Sequence, residues 1–206
     1  DSVWVANGAL TIRTDAAWDG ARWRNLTSGA VQSRGKLSWR GRHRVCVAAK
    51  LPGSGRGRGD GIWPAHWLLP DNDACWPCNG ELDIMEMINA DGVLRGTYHW
   101  CLNGTCGSGP THKHEGYTIK LPSDWPRAWH EYAVEFDGRD VVHWAIDGMV
   151  YGRVSGAARF FDVPYYVILN TAVGGPWPRP PHEDTVFPSL HLVDYVRVAE
   201  PAQLVV

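Results

Sequence analysis

The chain has 206 residues and a formal net charge of −2, which argues against nucleic acid or an anionic membrane surface as its main partner. No apolar run approaches the length of a membrane span, and the first residues do not read as a signal peptide. With 23 Gly and 14 Pro there are many turns and little room for long helices, so the length suits one all-β domain over residues 1–206.

Residues 3–14 read as a hairpin turning at Asn7-Gly8, and residues 15–29 lack a period and read as loop. Ala30 to Ser33 and Lys36 to Trp39 give short strands around Arg34-Gly35. Arg40, Arg42 and Arg44 alternate as on one strand face; a solvated face is the plainer reading, a grip on an anionic polymer the sharper one. Val45 to Leu51 is a buried strand ending at Pro52. Residues 53–61 form a Gly- and Arg-rich loop without the Lys-Ser/Thr ending of a phosphate cradle. Ile62 to Pro70 follows, aromatic and bounded by prolines, with Trp63 and Trp67 divided between core packing and an open face.

Asn79-Gly80-Glu81-Leu82-Asp83-Ile84-Met85-Glu86-Met87-Ile88 organises the chain. It is rich in strand-forming apolar residues yet carries three carboxylates, which are costly to bury unless paired or used. Glu81 and Asp83 share a face of a regular strand, whereas Glu86, an odd step on, points to the other face. A β-bulge near Ile84-Met85 returns Glu86 to its companions. Converging carboxyls of this kind suit glycoside hydrolysis with retention, in which a nucleophile and an acid/base group stand about 5–5.5 Å apart. The third carboxylate adds like charge that helps keep one partner protonated.

Beyond the turn at Asn89 to Gly92 the chain returns as a strand over 94–100, which places His99 roughly opposite Asp83 and ready to bond a carboxylate or a substrate. That hairpin brings loops 75–78 and 101–106 side by side, so Cys75, Cys78, Cys101 and Cys106 form two disulfides in one of three connectivities. Zinc held by the same cysteines is the weaker alternative. Cys46 is left as a small buried side chain. With the sequons at Asn25 and Asn103, the disulfides point to a secreted protein. His112-Lys113-His114 lies in a Gly/Pro-rich stretch and reads as a mobile loop rather than a metal site. Strands over 129–136 and 141–147 join at Asp137-Gly138, and Asp147-Gly148 turns into Val150 to Val154. Tyr165 to Asn170 is a buried strand entering Thr171 to Pro178, and Val193 to Val198 alternates strictly. Many short strands and regular turns imply a two-sheet β-sandwich.

The acidic stretch, Trp63-Pro64-Ala65 with Trp67, His99, Ile168-Leu169-Asn170 with Val173-Gly174-Gly175, and Val193 to Val198 fall in an order that resembles glycoside hydrolase family 16, laminarinase-type endo-1,3-β-glucanases. The resemblance implies a β-jelly roll of two antiparallel sheets whose concave face is a substrate cleft. It implies Glu81 as nucleophile, Glu86 as acid/base and Asp83 as the assisting carboxylate. Trp63, Trp67, His99 and Trp177 match family positions in or near the cleft, and Asn79, opening the acidic stretch, is a further candidate substrate contact. No cofactor is implied for catalysis; a structural calcium on the convex side, with Asp194 as a ligand, is. The partner is then a β-glucan, and the chain a monomer. Three departures stand out: the family's further strand segment before the position of Asp1 is missing, Pro176 replaces an Asn, and Ala30 replaces an Arg. The rival readings are a non-catalytic β-1,3-glucan recognition module, and a hydrolase of mixed-linkage glucan, agar or carrageenan that recruits Arg40, Arg42 and Arg44.

Overall fold

The computed structural model describes residues 1–53, 58–102, 104–122, 125, 128–156 and 163–200. Positions 54–57 of the Gly- and Arg-rich loop and Asn103 of the second sequon lie outside these residues. In chain order the strands are β1 (Val3–Ala6), β2 (Ala9–Trp18), β3 (Trp23–Thr27), β4 (Ala30–Gln32), β5 (His43–Lys50), β6 (Ile62–Pro70) and β7 (Glu81–Glu86). The second half adds β8 (Val93–Cys101), β9 (His112–Lys120), β10 (His130–Phe136), β11 (Val142–Ile146), β12 (Met149–Val154), β13 (Tyr165–Val173) and β14 (Ser189–Ala199).

Two antiparallel sheets stack face to face, as alternating apolar strands require when each must bury one side. One runs β1-β2-β14-β5-β10-β11-β12, with β3 added against β2; the other runs β4-β13-β6-β7-β8-β9. The core lies between them, built from Val45, Val47 and Ala49 of β5, Leu82, Ile84 and Met85 of β7, Tyr132 and Val134 of β10, and Trp144 of β11. This is the β-jelly roll of the sequence analysis.

The hairpin turns form where Asn-Gly and Asp-Gly pairs permit a left-handed backbone. Asn7 and Gly8 have φ of 52° and 80°, and Asp147 and Gly148 have 48° and 80°, the pattern of tight hairpin turns. Four expectations need correction. Residues 15–29 are not loop: β2 runs on to Trp18 and β3 pairs with it, although β3 is too exposed to show an alternating pattern. Lys36 to Trp39 forms no strand, only a single bridge from Trp39 to Tyr165. His112-Lys113-His114 opens β9 instead of lying in a loop. Of the three arginines only Arg44 lies in a strand, and it pairs with Glu135 at 3.3 Å and Glu131 at 3.7 Å across β5 and β10, in the sheet opposite the acids.

The bulge stands where the odd acid spacing demands it. Asp83 pairs with Thr97 and Glu86 with Arg95, so three steps on β7 face two on β8. On the other side His66 pairs with Met85 and Trp67 with Asp83, leaving Ile84 as the extra residue. Ile84 and Met85, consecutive in sequence, are both buried in the core, and Glu86 thereby returns to the face of Glu81 and Asp83. Trp144, fully buried on the opposite sheet, donates its indole N–H to the Asp83 carbonyl at 2.7 Å. The interrupted ladder thus gains a donor from across the core. Gly96 makes room for that indole: a Cβ there would stand 2.2 Å from the Trp144 ring.

Candidate active site

Glu81, Asp83 and Glu86 line one recess of about 180 Å³ with Trp63, Trp67 and Asn170. It adjoins a larger cleft of about 480 Å³ that continues across β8 and β9 to His99, His112 and Tyr117. Each acid has its own donor. Trp76 Nε1 donates to Glu81 at 2.6 Å, Trp63 Nε1 to Glu86 at 3.0 Å, and His99 Nε2 lies 3.0 Å from Asp83 Oδ2. His99 Nε2 is also 3.9 Å from Glu81. Its cross-strand partner is Glu81 rather than Asp83, a register two residues from the expected one, yet the imidazole still reaches Asp83 along the strand.

All three carboxyls are raised by burial, but their neighbours oppose that rise unequally. Burial, then the charges of Asp83 and Glu81, raise Glu86 to about 9, against the pull of the Trp63 N–H and Arg95. Burial, the charge of Glu81 and a hydrogen bond to it hold Asp83 well above the usual carboxylate range. Burial also raises Glu81, but His99, the Trp76 N–H and the Asp83 hydrogen bond all draw it back. At neutral pH Glu86 therefore carries a proton, while Glu81 is the acid best supported as an anion.

Trp63 and Trp67 are both half-buried and neither joins the core; the expected division between core and open face does not occur. Trp67 Nε1 donates to Asn170 Oδ1 at 2.7 Å, which fixes its ring along the recess. Trp177 is 42% exposed and meets Trp63 edge to face at 4.8 Å between centroids, with Arg95 over its ring at 5.5 Å. Asn79 does not line either cavity: its side chain bonds Asn72, and its carbonyl accepts the Tyr165 hydroxyl.

Cys75–Cys106 and Cys78–Cys101 are disulfides, with Cα–Cα distances of 5.6 and 4.6 Å, and Cys46 is free and buried. These bonds seat the loop that carries Trp76 over Glu81. Sequence reasoning missed Trp76 as a site residue; the signal available was its place inside a doubly bridged loop next to the acidic strand. Arg95, His112, His114 and Tyr117 are further lining residues that it missed. Asp194 is exposed at the bulge of β14. Among the described residues it belongs to no group of three ligating side chains, whereas calcium takes six to eight oxygens, so side chains alone do not make a calcium cage.

The sequence profile of glycosyl hydrolases family 16 matches residues 3–186. This chain belongs to that family. Within it, the chain is 36% identical over 212 residues to a β-glucanase of Rhodothermus marinus, a match spanning 94% of this chain and 68% of that one. It is 32% identical over 222 residues to glucan endo-1,3-β-glucosidase A1 of Niallia circulans, covering 96% of this chain but 30% of that protein. The laminarinase catalytic domain of Thermotoga maritima MSB8 superposes with a TM-score of 0.79 at 34% identity, over 98% of this chain and 82% of that one. In this chain the three acids stand on the cleft face of the β4-β13-β6-β7-β8-β9 sheet.

Proposed function

We propose that this chain is a retaining endo-hydrolase of internal β-1,3-glucosidic bonds in laminarin-like β-glucans. Residues 1–206 act as a single catalytic domain and a monomer, with Glu81 as nucleophile, Glu86 as acid/base and Asp83 as the assisting carboxyl. The observation that carries the assignment is the contrast between the outer acids, which face one recess with Glu86 pushed up to about 9 by burial and like charge while His99 and the Trp76 N–H partly offset the burial that raises Glu81.

Glu86 gives its proton to the glycosidic oxygen as the bond to the anomeric carbon breaks, and Glu81 attacks that carbon to form a glycosyl ester. Ester formation removes the Glu81 charge. Since that charge is one cause of the high Glu86 pKa, the Glu86 carboxylate left behind is less repelled and persists long enough to act. Glu86 then takes a proton from water, the water oxygen attacks the anomeric carbon, and Glu81 leaves as a carboxylate. Asp83 holds its own proton toward Glu81 and is itself oriented by His99. Trp63, Trp67 and Trp177 offer apolar faces for sugar rings on one side of the acids, and Trp76, His99 and Tyr117 on the other. No step calls for a cofactor. The two disulfides suit an oxidising compartment, and the protein acts outside the cell.

A panel of laminarin, mixed-linkage β-glucan, agarose and carrageenan tests the reading. Laminarin should yield a ladder of oligosaccharides, with the β-anomer appearing first by proton NMR. Reducing ends released only from another polymer, or the α-anomer first, would overturn it.

A further inference from the structure

The hydrolytic chemistry engages His99 through Asp83 and as part of the cleft wall, and says nothing of the two histidines beside it. His112 and His114 are two apart on β9, so both imidazoles face the cleft. His114 is the cross-strand partner of His99, and His112 pairs with Cys101. Ring nitrogens from all three lie within 4.8 Å of one another. His99 Nδ1 and His112 Nε2 are already 2.9 Å apart. A zinc ion bound by nitrogen at about 2.0–2.1 Å in tetrahedral geometry sets its ligands about 3.3 Å apart, so small ring rotations open the cluster to an ion.

Two further features fit a metal rather than an ordinary aromatic cluster. Because His99 uses Nε2 toward Asp83, Nδ1 is the lone pair turned to its neighbours. A metal-binding histidine held through its other nitrogen by a carboxyl group is the usual support for such a ligand. Three histidines also leave a fourth position open toward the cleft.

From this we infer that His99, His112 and His114 bind Zn²⁺ in the cleft, and that the bound ion shuts down hydrolysis. The ion takes the space of a sugar ring beside Trp76 and sets a dication next to Glu81 and Asp83. The inhibitory half rests on the hydrolytic reading; the binding half does not.

Calorimetric titration of ZnCl₂ into the full chain without substrate tests the site. One ion should bind per chain, and H112A/H114A should weaken it at least tenfold. Because that double variant alters the cleft wall, the exposed His114→Gln gives a second measure, with the same tenfold expectation. His182→Ala, which removes the separate exposed group His182, Glu183 and Asp184, should leave binding unchanged. Laminarin hydrolysis by each protein is then compared with and without zinc, and half-inhibition in the unaltered chain should track the calorimetric constant. Equal affinity in the unaltered chain and H112A/H114A, loss in His182→Ala, or no binding up to millimolar zinc would overturn the proposal. Zinc binding as stated in a chain that cuts no glucan leaves the metal site standing and sinks the hydrolytic reading. Glucan cutting with no zinc bound does the reverse.

Discussion

Two groups of titratable side chains lie on opposite faces of the sheet that contains β6 and β7. On the cleft face stand Asp83 and Glu86, 3% and 9% exposed, with Glu81 beside them. On the core face His66 and His191 are completely buried, 2.9 Å apart through their Nε2 atoms, with Thr171 3.2 Å from His191 Nδ1. Burial acts on both groups in the same sense, against the charged form. It raises the acids and lowers the histidines, His191 to about 4 and His66 well below its ordinary value. The groups differ in access and in partners. The acids open onto a cleft and draw donors from three different elements, whereas the histidine rings bond each other and Thr171 in a closed space, with His66 Nδ1 left unpartnered among the described residues. A perturbed pKa therefore marks a site here only when joined to a recess and to unlike environments for neighbouring groups.

Glu81→Gln tests that distinction hardest. Its laminarin turnover should fall by about 10⁴-fold or more, with the fold intact by circular dichroism. His191→Phe, at a fully buried position, should alter turnover little. Comparable losses in both would erase the distinction.

Glu86→Gln comes next, with a loss of about 10²–10⁴-fold and a gain in stability. Its folded pKa lies above the unfolded value of 4.5, so holding Glu86 in place costs nothing extra below pH 4.5. The cost grows as pH rises toward about 9. Gln removes that cost, and the variant should be more stable at pH 8 by about 1–2 kcal/mol, read as a higher melting temperature. The gain should vanish at pH 4.

The bulge connects the two faces of the sheet. Trp144→Phe strips the donor from the Asp83 carbonyl, costing about 1–3 kcal/mol of stability. Turnover should fall by about tenfold with KM little changed, because the change moves acids rather than the walls that hold sugar. An equal rise in KM would mean that Trp144 is core filler alone.

The smallest effect on turnover belongs to the histidine pair, whose signature is in stability. Their folded pKa values are depressed, so their stability contribution is present above pH 6.5 and lost as pH falls toward 4. His66→Leu/His191→Leu should flatten that decline, by about 1 kcal/mol per pH unit for each histidine. An unchanged acid limb would show that other groups set it.

The bulge was legible because three acids with an odd final step in an apolar strand leave one economical solution. The Asn-Gly and Asp-Gly hairpins were legible for a similar local reason. The register of His99 was not, since pairing depends on the bulge and on the Asn89 to Gly92 turn together, and an error in either moves every partner. β9 escaped because nearly all its residues are exposed and it lacks the alternation that announces a half-buried strand. The disulfide pairing and the placing of Trp76 over Glu81 required the hairpin in three dimensions. Trp63 and Trp67 were ambiguous because an indole suits a core and an open cleft equally well.

The central claim is that Glu81 and Glu86 share one recess yet perform opposite chemistry. A 2-deoxy-2-fluoro laminari-oligosaccharide with a good leaving group slows release of the glycosyl ester enough to identify its attachment site by mass spectrometry of peptides. The account predicts one stoichiometric glycosyl adduct on Glu81; an adduct on Glu86 or Asp83, or turnover with no adduct at all, would contradict it.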